Sequence, residues 1–173
     1  PFLDVGKIMR IIAPGLSYGS HLPVLMRALD KTEGTILEFG MGEYSTAIIS
    51  MMARLQGRKA HFFETNKEWF DYVRTKYGNR MCEFTLVENW DDVRIKKMVG
   101  FAFIDHAPDE RRKEEIKRFA NSIQVIAIHD SQPKADKHFR YSEIYPLFKY
   151  RRDFTKYAPH TTLLSNFVCL DDF

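Results

Sequence analysis

Five short apolar runs, each finishing on or beside an ionisable residue, constrain this chain more than any other feature. They are Thr35–Phe39, Ala60–Glu64, Glu83–Val87, Phe101–Asp105 and Gln124–His129, with amphipathic stretches between them. Strands that are apolar at nearly every position are covered by helices on both faces, so an α/β domain with a mostly parallel sheet is expected. In open sheets of that kind, ligands bind beyond the carboxyl ends of the strands. Those ends carry Glu38, Glu64, Glu88, Asp105 and the pair His129-Asp130. The amino ends, such as Gly34-Thr35 and Val99-Gly100, show no comparable line of acids. The carboxyl edge is therefore where a site is expected.

Composition narrows the class without naming a function. The 173 residues hold 26 Lys plus Arg against 23 Asp plus Glu, a formal charge of +3. That balance is too weak to indicate nucleic acid, which is not expected as a partner. The two cysteines, Cys82 and Cys169, cannot build a disulfide framework or an all-cysteine zinc site. No apolar run reaches the roughly 18 residues that span a bilayer. The opening Pro-Phe-Leu-Asp-Val lacks the layout of a secretory signal. A cytoplasmic protein with no membrane partner is expected.

Punctuation places the remaining elements. A helix over about 4–12 should stop at Ala13-Pro14-Gly15, and Ser20 should cap a helix over 21–30. Helices over 44–56 and 67–77 should end at Gly57 and Gly78, the second capped by Asn66. Pro108 should open a charged helix to about Ala120. Its run Asp109–Lys117 reads as a solvated face, with Glu114 and Arg118 in the favourable i, i+4 order. A further helix is expected near 141–149. Tyr150–Tyr157 and Thr161–Leu170 read as an antiparallel pair, which makes the basic cluster Lys149-Tyr150-Arg151-Arg152 the exposed face of a strand, with contact to RNA or an anionic substrate as the alternative. Residues 1–34 are expected to be a helical extension and 35–173 the main domain.

The sharpest motif is Glu38-Phe39-Gly40-Met41-Gly42-Glu43-Tyr44-Ser45-Thr46. Two glycines let a strand-to-helix turn close tightly and admit a ligand to the main chain. A dinucleotide turn would carry a third glycine where Ser45 stands, and a carboxylate at Glu38 would repel a pyrophosphate. A cationic sulfonium amino acid is the better electrostatic partner. Ile36-Leu37-Glu38-Phe39-Gly40-Met41-Gly42 resembles motif I of the class I S-adenosylmethionine-dependent methyltransferases. Phe103-Ile104-Asp105-His106 and Ile128-His129-Asp130-Ser131 are similar to a small-molecule O-methyltransferase-like branch of that superfamily.

The resemblance implies a Rossmann-like α/β fold with strand order 3-2-1-4-5-7-6, strand seven antiparallel. It implies that S-adenosylmethionine is held by Glu38, Gly40, Gly42, Ser45, Thr46, Glu64, Asn89, Trp90 and Asp105. Glu38 would face the methionine part and Glu64 the ribose hydroxyls. Asn89 and Trp90 would sit at the adenine, and Asp105 beside the sulfonium. It also implies a small-molecule substrate near His106, His129 and Asp130, with His21 in the region that contacts it. Related enzymes bind a divalent metal through carboxylates, for which Asp105 and Asp130 are the candidates. His129 stands where some of them carry an acid, and an imidazole disfavours a hard cation. His106 or His129 as a metal-free base is the other route. A cofactor-binding module without turnover is the alternative function. A nicotinamide-dependent oxidoreductase is the third reading, against which Ser45 and Glu38 both count.

Overall fold

The computed structural model describes residues 17–173; the helix expected near 4–12 lies outside them. Seven strands form one sheet: β1 Ile36–Phe39, β2 Ala60–Glu64, β3 Cys82–Leu86, β4 Val99–Ile104, β5 Ile123–Ile128, β6 Tyr150–Phe154 and β7 Thr161–Ser165. Their order is β3-β2-β1-β4-β5-β7-β6, as expected. The first five are joined in parallel, and β7 runs antiparallel to both β5 and β6.

The helices are α1 Leu22–Lys31, α2 Ser45–Gln56, α3 Lys67–Tyr77, α4 Arg112–Phe119 and α5 Asp136–Phe139. Two expected boundaries hold for the expected reasons. Gly57 ends α2 at φ 66, and the Asn66 side chain accepts the Trp69 N–H at the start of α3. Ser20, in contrast, caps nothing: α1 begins after His21, without a side-chain cap. The helix expected near 141–149 is replaced by two 3-10 turns, Tyr141–Glu143 and Tyr145–Leu147. Pro146 lies in the second and supplies no N–H to continue an α-helix.

A core lies on each face of the sheet. One holds Leu25, Leu29, Ile36, Ile49, Phe62, Phe70, Phe101, Phe103 and Val125 under α1, α2 and α3. The other holds Leu37, Phe39, Phe63, Ala102, Ile104, Ile116, Phe119, Ile126 and Ile128 under α4. α1 buries Leu22, Val24, Leu25, Ala28 and Leu29, with Leu25, Ala28 and Leu29 in the first of these cores.

Strand parity now sorts the site. Side chains alternate between faces with period two. Glu38 pairs in register with Phe62 and Phe103, and Phe103 with Ala127. Two residues further along, Glu64, Asp105 and His129 continue the same face as Glu38. His106, one residue on from Asp105, has the opposite parity.

Candidate active site

The turn after β1 is built around a buried carboxylate. Gly40 sits at φ +85, and a Cβ there would lie 2.4 Å from the His106 Cα and 2.8 Å from the Asp105 carbonyl oxygen. Glycine is thus required both by the backbone and by the close approach of the end of β4. At Gly42 the added atom would meet only the Ser45 Oγ, a side-chain end that can rotate. The Gly42 N–H donates to Thr46 Oγ1 (2.9 Å), which donates to Glu38 Oε2 (2.7 Å). Glu38 is fully buried, and its Oε1 has no partner among the described residues. Burial pushes its carboxyl up to about 8; the Ser45 and Thr46 hydroxyls pull it down, while the Asp105 and Glu64 charges push it further up. An unpaired anionic oxygen in such a place is costly unless a donor arrives.

Glu64 pins the same turn from β2. Its Oε2 accepts the Met41 N–H (3.0 Å), and its Oε1 accepts the N–H groups of Thr65 (2.7 Å) and Asn66 (2.9 Å). The Trp69 indole N–H donates to the Met41 carbonyl, so the backbone of that residue is held on both sides. Glu64→Ala should therefore destabilise the fold by about 2–4 kcal/mol, because three backbone donors lose their acceptor. An unchanged urea midpoint would show that water replaces it.

The adenine-side expectations fare differently. Asn89 is exposed, and its side chain accepts the Asp91 N–H, starting the 3-10 turn Trp90–Asp92. Trp90 is a core residue at 2% exposure. Its indole N–H donates to the Ala107 carbonyl, and its ring stacks on His106 at 4.2 Å. That burial leaves it no face to offer a nucleobase.

His106 also departs from expectation. Its side chain is wholly buried on the α4 side, with Nε2 3.1 Å from Glu115 Oε2. Arg111 and Arg118 meet the other oxygen of Glu115. A general base must reach its substrate, and His106 lies across the sheet from Glu38, Asp105 and His129. The charge run of α4 is a solvated face only in part: Glu114, Lys117 and Arg118 are exposed, whereas Arg112 and Glu115 are buried with Ile116 and Phe119.

Arg112 closes the gap between the two expected metal ligands. Its Nη1 lies 2.7 Å from Asp105 Oδ1 and 3.0 Å from Asp130 Oδ2, and its Nε donates to the His106 carbonyl. A guanidinium occupies the position where a cation shared by these carboxylates would have to sit. Asp105 and Asp130 together thus do not fit the expected metal. Burial alone would raise the Asp105 carboxyl, but the His129 contact and the Arg112 charge hold it below the usual range. Arg112→Met should cost about 2–4 kcal/mol at neutral pH, discounted because both carboxylates keep some water. Asp105 gains its stabilisation above its unfolded value and loses it as pH falls through its lowered folded value. The deficit should therefore shrink in acid; a deficit that urea unfolding finds constant with pH would contradict the pairing.

The remaining groups gather beside Asp105. His129 Nδ1 lies 3.3 Å from Asp105 Oδ2, and His129 Nε2 lies 2.9 Å from Ser20 Oγ. Ser20 donates to the Pro159 carbonyl at 2.7 Å. The His21 ring lies 4.9 Å from that of His129, and neither of its nitrogens has a partner among the described residues. Tyr141 is buried nearby, beside Arg112, and Asp130 takes a left-handed φ of 58. Arg112, Ser20 and Tyr141 were not foreseen; the signal for Arg112 was its i, i+4 and i, i+7 spacing to Ile116 and Phe119.

No protein-family profile matches the chain, and neither does any curated protein. Solved structures do match. The N-terminal domain of human METTL16 in complex with SAH aligns with a TM-score of 0.62 at 8% identity, over 90% of this chain and 73% of that one. Cofactor-bound Rv0187 from MTB aligns with a TM-score of 0.60 at 15% identity, over 91% and 83%. The human METTL16 catalytic domain in complex with MAT2A 3'UTR hairpin 1 aligns with a TM-score of 0.61 at 9% identity, over 90% and 71%. Likeness at these identities is one of fold, and the fold is the Rossmann-like class I methyltransferase fold. The hairpin complex corrects one expectation: nucleic acid is not to be set aside as a partner for a domain of this architecture. A net charge of +3 measures the whole surface and carries no such exclusion. Among the described residues, no helix is long and apolar enough to cross a membrane.

Proposed function

We propose that the chain binds S-adenosylmethionine at the glycine turn and catalyses transfer of its methyl group to an oxygen of a small-molecule acceptor. The observation that carries this reading is Glu38 Oε1, an unpartnered carboxylate oxygen buried beside the turn. It fits an ammonium, and a pyrophosphate in the same place would be repelled. The bound sulfonium would supply an electrophilic methyl group.

The chain's own groups divide the rest. Glu38 accepts from the amino group of the methionine part. Glu64 keeps lone pairs beyond its three backbone bonds, which suit ribose hydroxyls. Asp105 and His129, on the same face, mark the acceptor end, where the acceptor oxygen would bond the methyl carbon as the carbon–sulfur bond breaks and the hydroxyl proton passes to water. Asp130 acts through Arg112, holding the guanidinium that orients Asp105. Aligning the acceptor oxygen with the methyl carbon provides most of the rate gain.

The test is production of S-adenosylhomocysteine with a panel of small hydroxylated acceptors and, in parallel, RNA hairpins. Turnover with a small hydroxylated acceptor is expected. Turnover with RNA alone would overturn the acceptor assignment. Binding of S-adenosylmethionine without turnover on any acceptor would favour the non-catalytic module.

A further inference from the structure

We propose that His21, Asp105 and His129 form a binding site for a first-row divalent transition-metal ion at the acceptor end of the cleft. The proposal rests on the reading of that end given above, but its ligand set is distinct from the Asp105–Asp130 pair that Arg112 occupies.

The hydrogen-bond chain into His129 is the first argument. Ser20 has one hydroxyl proton, and the Pro159 carbonyl can only accept it. His129 Nε2 must then donate to Ser20 Oγ. That leaves Nδ1 pointing at Asp105 Oδ2 across 3.3 Å. With Nε2 carrying the proton of the neutral ring, Nδ1 presents a lone pair to a carboxylate, two acceptors facing each other. Something positive has to lie between them: a second proton on the ring, or a cation.

His21 distinguishes those cases. Its ring is 3% exposed, and both nitrogens lack partners among the described residues. A neutral imidazole keeps one nitrogen lone pair, and no described residue takes it up here. A second proton between His129 and Asp105 would satisfy that pair alone and leave both nitrogens of the buried His21 without a partner among the described residues. A divalent ion satisfies all three groups together.

Geometry and chemistry agree. One ligand atom from each residue can be chosen so that all lie within 4.8 Å of one another. Ligands around such an ion are separated by about 3–3.5 Å, given metal–ligand distances of about 2.1 Å, so modest side-chain rotation closes the set. Asp105 Oδ1 stays with Arg112 while Oδ2 faces the site. Ser20 then orients His129 through its outer nitrogen, the usual second contact of a metal-bound imidazole. Two imidazoles and one carboxylate prefer Zn²⁺, Fe²⁺, Mn²⁺ or Co²⁺ to Mg²⁺ or Ca²⁺. Three protein ligands leave positions open for an acceptor oxygen, whose proton the ion would make easier to remove.

The experiment is a Co²⁺ titration of the EDTA-treated full chain, followed by visible absorption and calorimetry. One equivalent should bind with ligand-field bands, and a tenfold excess of Mg²⁺ should not compete, by the ligand preference above. His21→Phe should weaken Co²⁺ binding by about a hundredfold or more, and Ser20→Ala by about tenfold. His138→Ala should change nothing; it disrupts the exposed cluster of Asp109, Glu110 and His138, the other group among the described residues able to hold an ion. No Co²⁺ binding to the unmutated chain would overturn the proposal. Loss of binding in His138→Ala but not in His21→Phe would overturn it too, placing the ion on the surface. S-adenosylmethionine affinity, measured on the same samples, reports separately on the cofactor reading. Glu38→Gln should lose the cofactor and keep Co²⁺.

Discussion

Glu38→Gln should lose S-adenosylmethionine affinity by about tenfold to a hundredfold at pH 8, the size of a charge-assisted hydrogen bond, while melting above the parent protein. Burial raises this carboxyl from 4.5 to about 8 in the folded chain. A group raised in this way contributes stability that is fully present below the unfolded value and is lost as pH rises through the folded one. By pH 8 the parent carries a buried anion with one unpaired oxygen. Glutamine has no proton to lose, and its carbonyl can still accept from Thr46. The gain should be on the order of 1–3 kcal/mol at pH 8 and should fade toward pH 5, limited by the amide's own unpaired donor. Cofactor binding should follow the opposite course: the free protein holds a proton that an arriving ammonium expels, so affinity rises with pH up to about 8. Thermal melts at several pH values combined with calorimetry check both halves. A melting gap independent of pH, or unchanged cofactor affinity, would contradict the role given to Glu38.

Gly40→Val should prevent folding or cost more than about 4 kcal/mol. At φ +85 a β-branched residue is strained whatever space surrounds it. Here its Cβ also falls within 2.4 Å of the His106 backbone, which cannot move without parting β1 from β4. The sequence alone suggested that Gly40 clears space for the ligand; the structure adds that it first clears space for β4. Gly42→Ala is the contrast, expected to cost about 1 kcal/mol or less because Ser45 Oγ can rotate away. Circular dichroism and urea unfolding of the two variants separate these effects. A stable, native-like Gly40→Val protein would mean that the turn is not packed as described.

The parallel core and the helix boundaries at Gly57 and Asn66 were legible because continuous apolar runs and caps act through local chemistry, whereas the strand order came from the resemblance at the glycine turn. The site was legible only in part. Glu38, Glu64, Asp105 and His129 were found from their place at strand ends, but His106 was grouped with them by adjacency. Counting side chains in twos along β4 would have sent it to the other face. Trp90 was assigned by its position after β3, where nothing in the sequence distinguishes an indole stacked on a ligand from one stacked on His106. Arg112 and Glu115 were lost within a run of charges, although Ile116 and Phe119 mark the inward side of the same helix. The turns after Arg140 were read as one helix despite Pro146. His21 and Ser20 are joined to His129 by more than a hundred residues of intervening chain, and only the folded structure brings them together.

The central claim, that the pocket at Glu38 and the glycine turn takes S-adenosylmethionine, is tested most directly by calorimetry of the unmutated chain at pH 8. The account expects one equivalent of S-adenosylmethionine to bind, and NAD to give no binding heat. Binding of NAD in its place, or S-adenosylmethionine binding that Glu38→Gln leaves untouched, would contradict it.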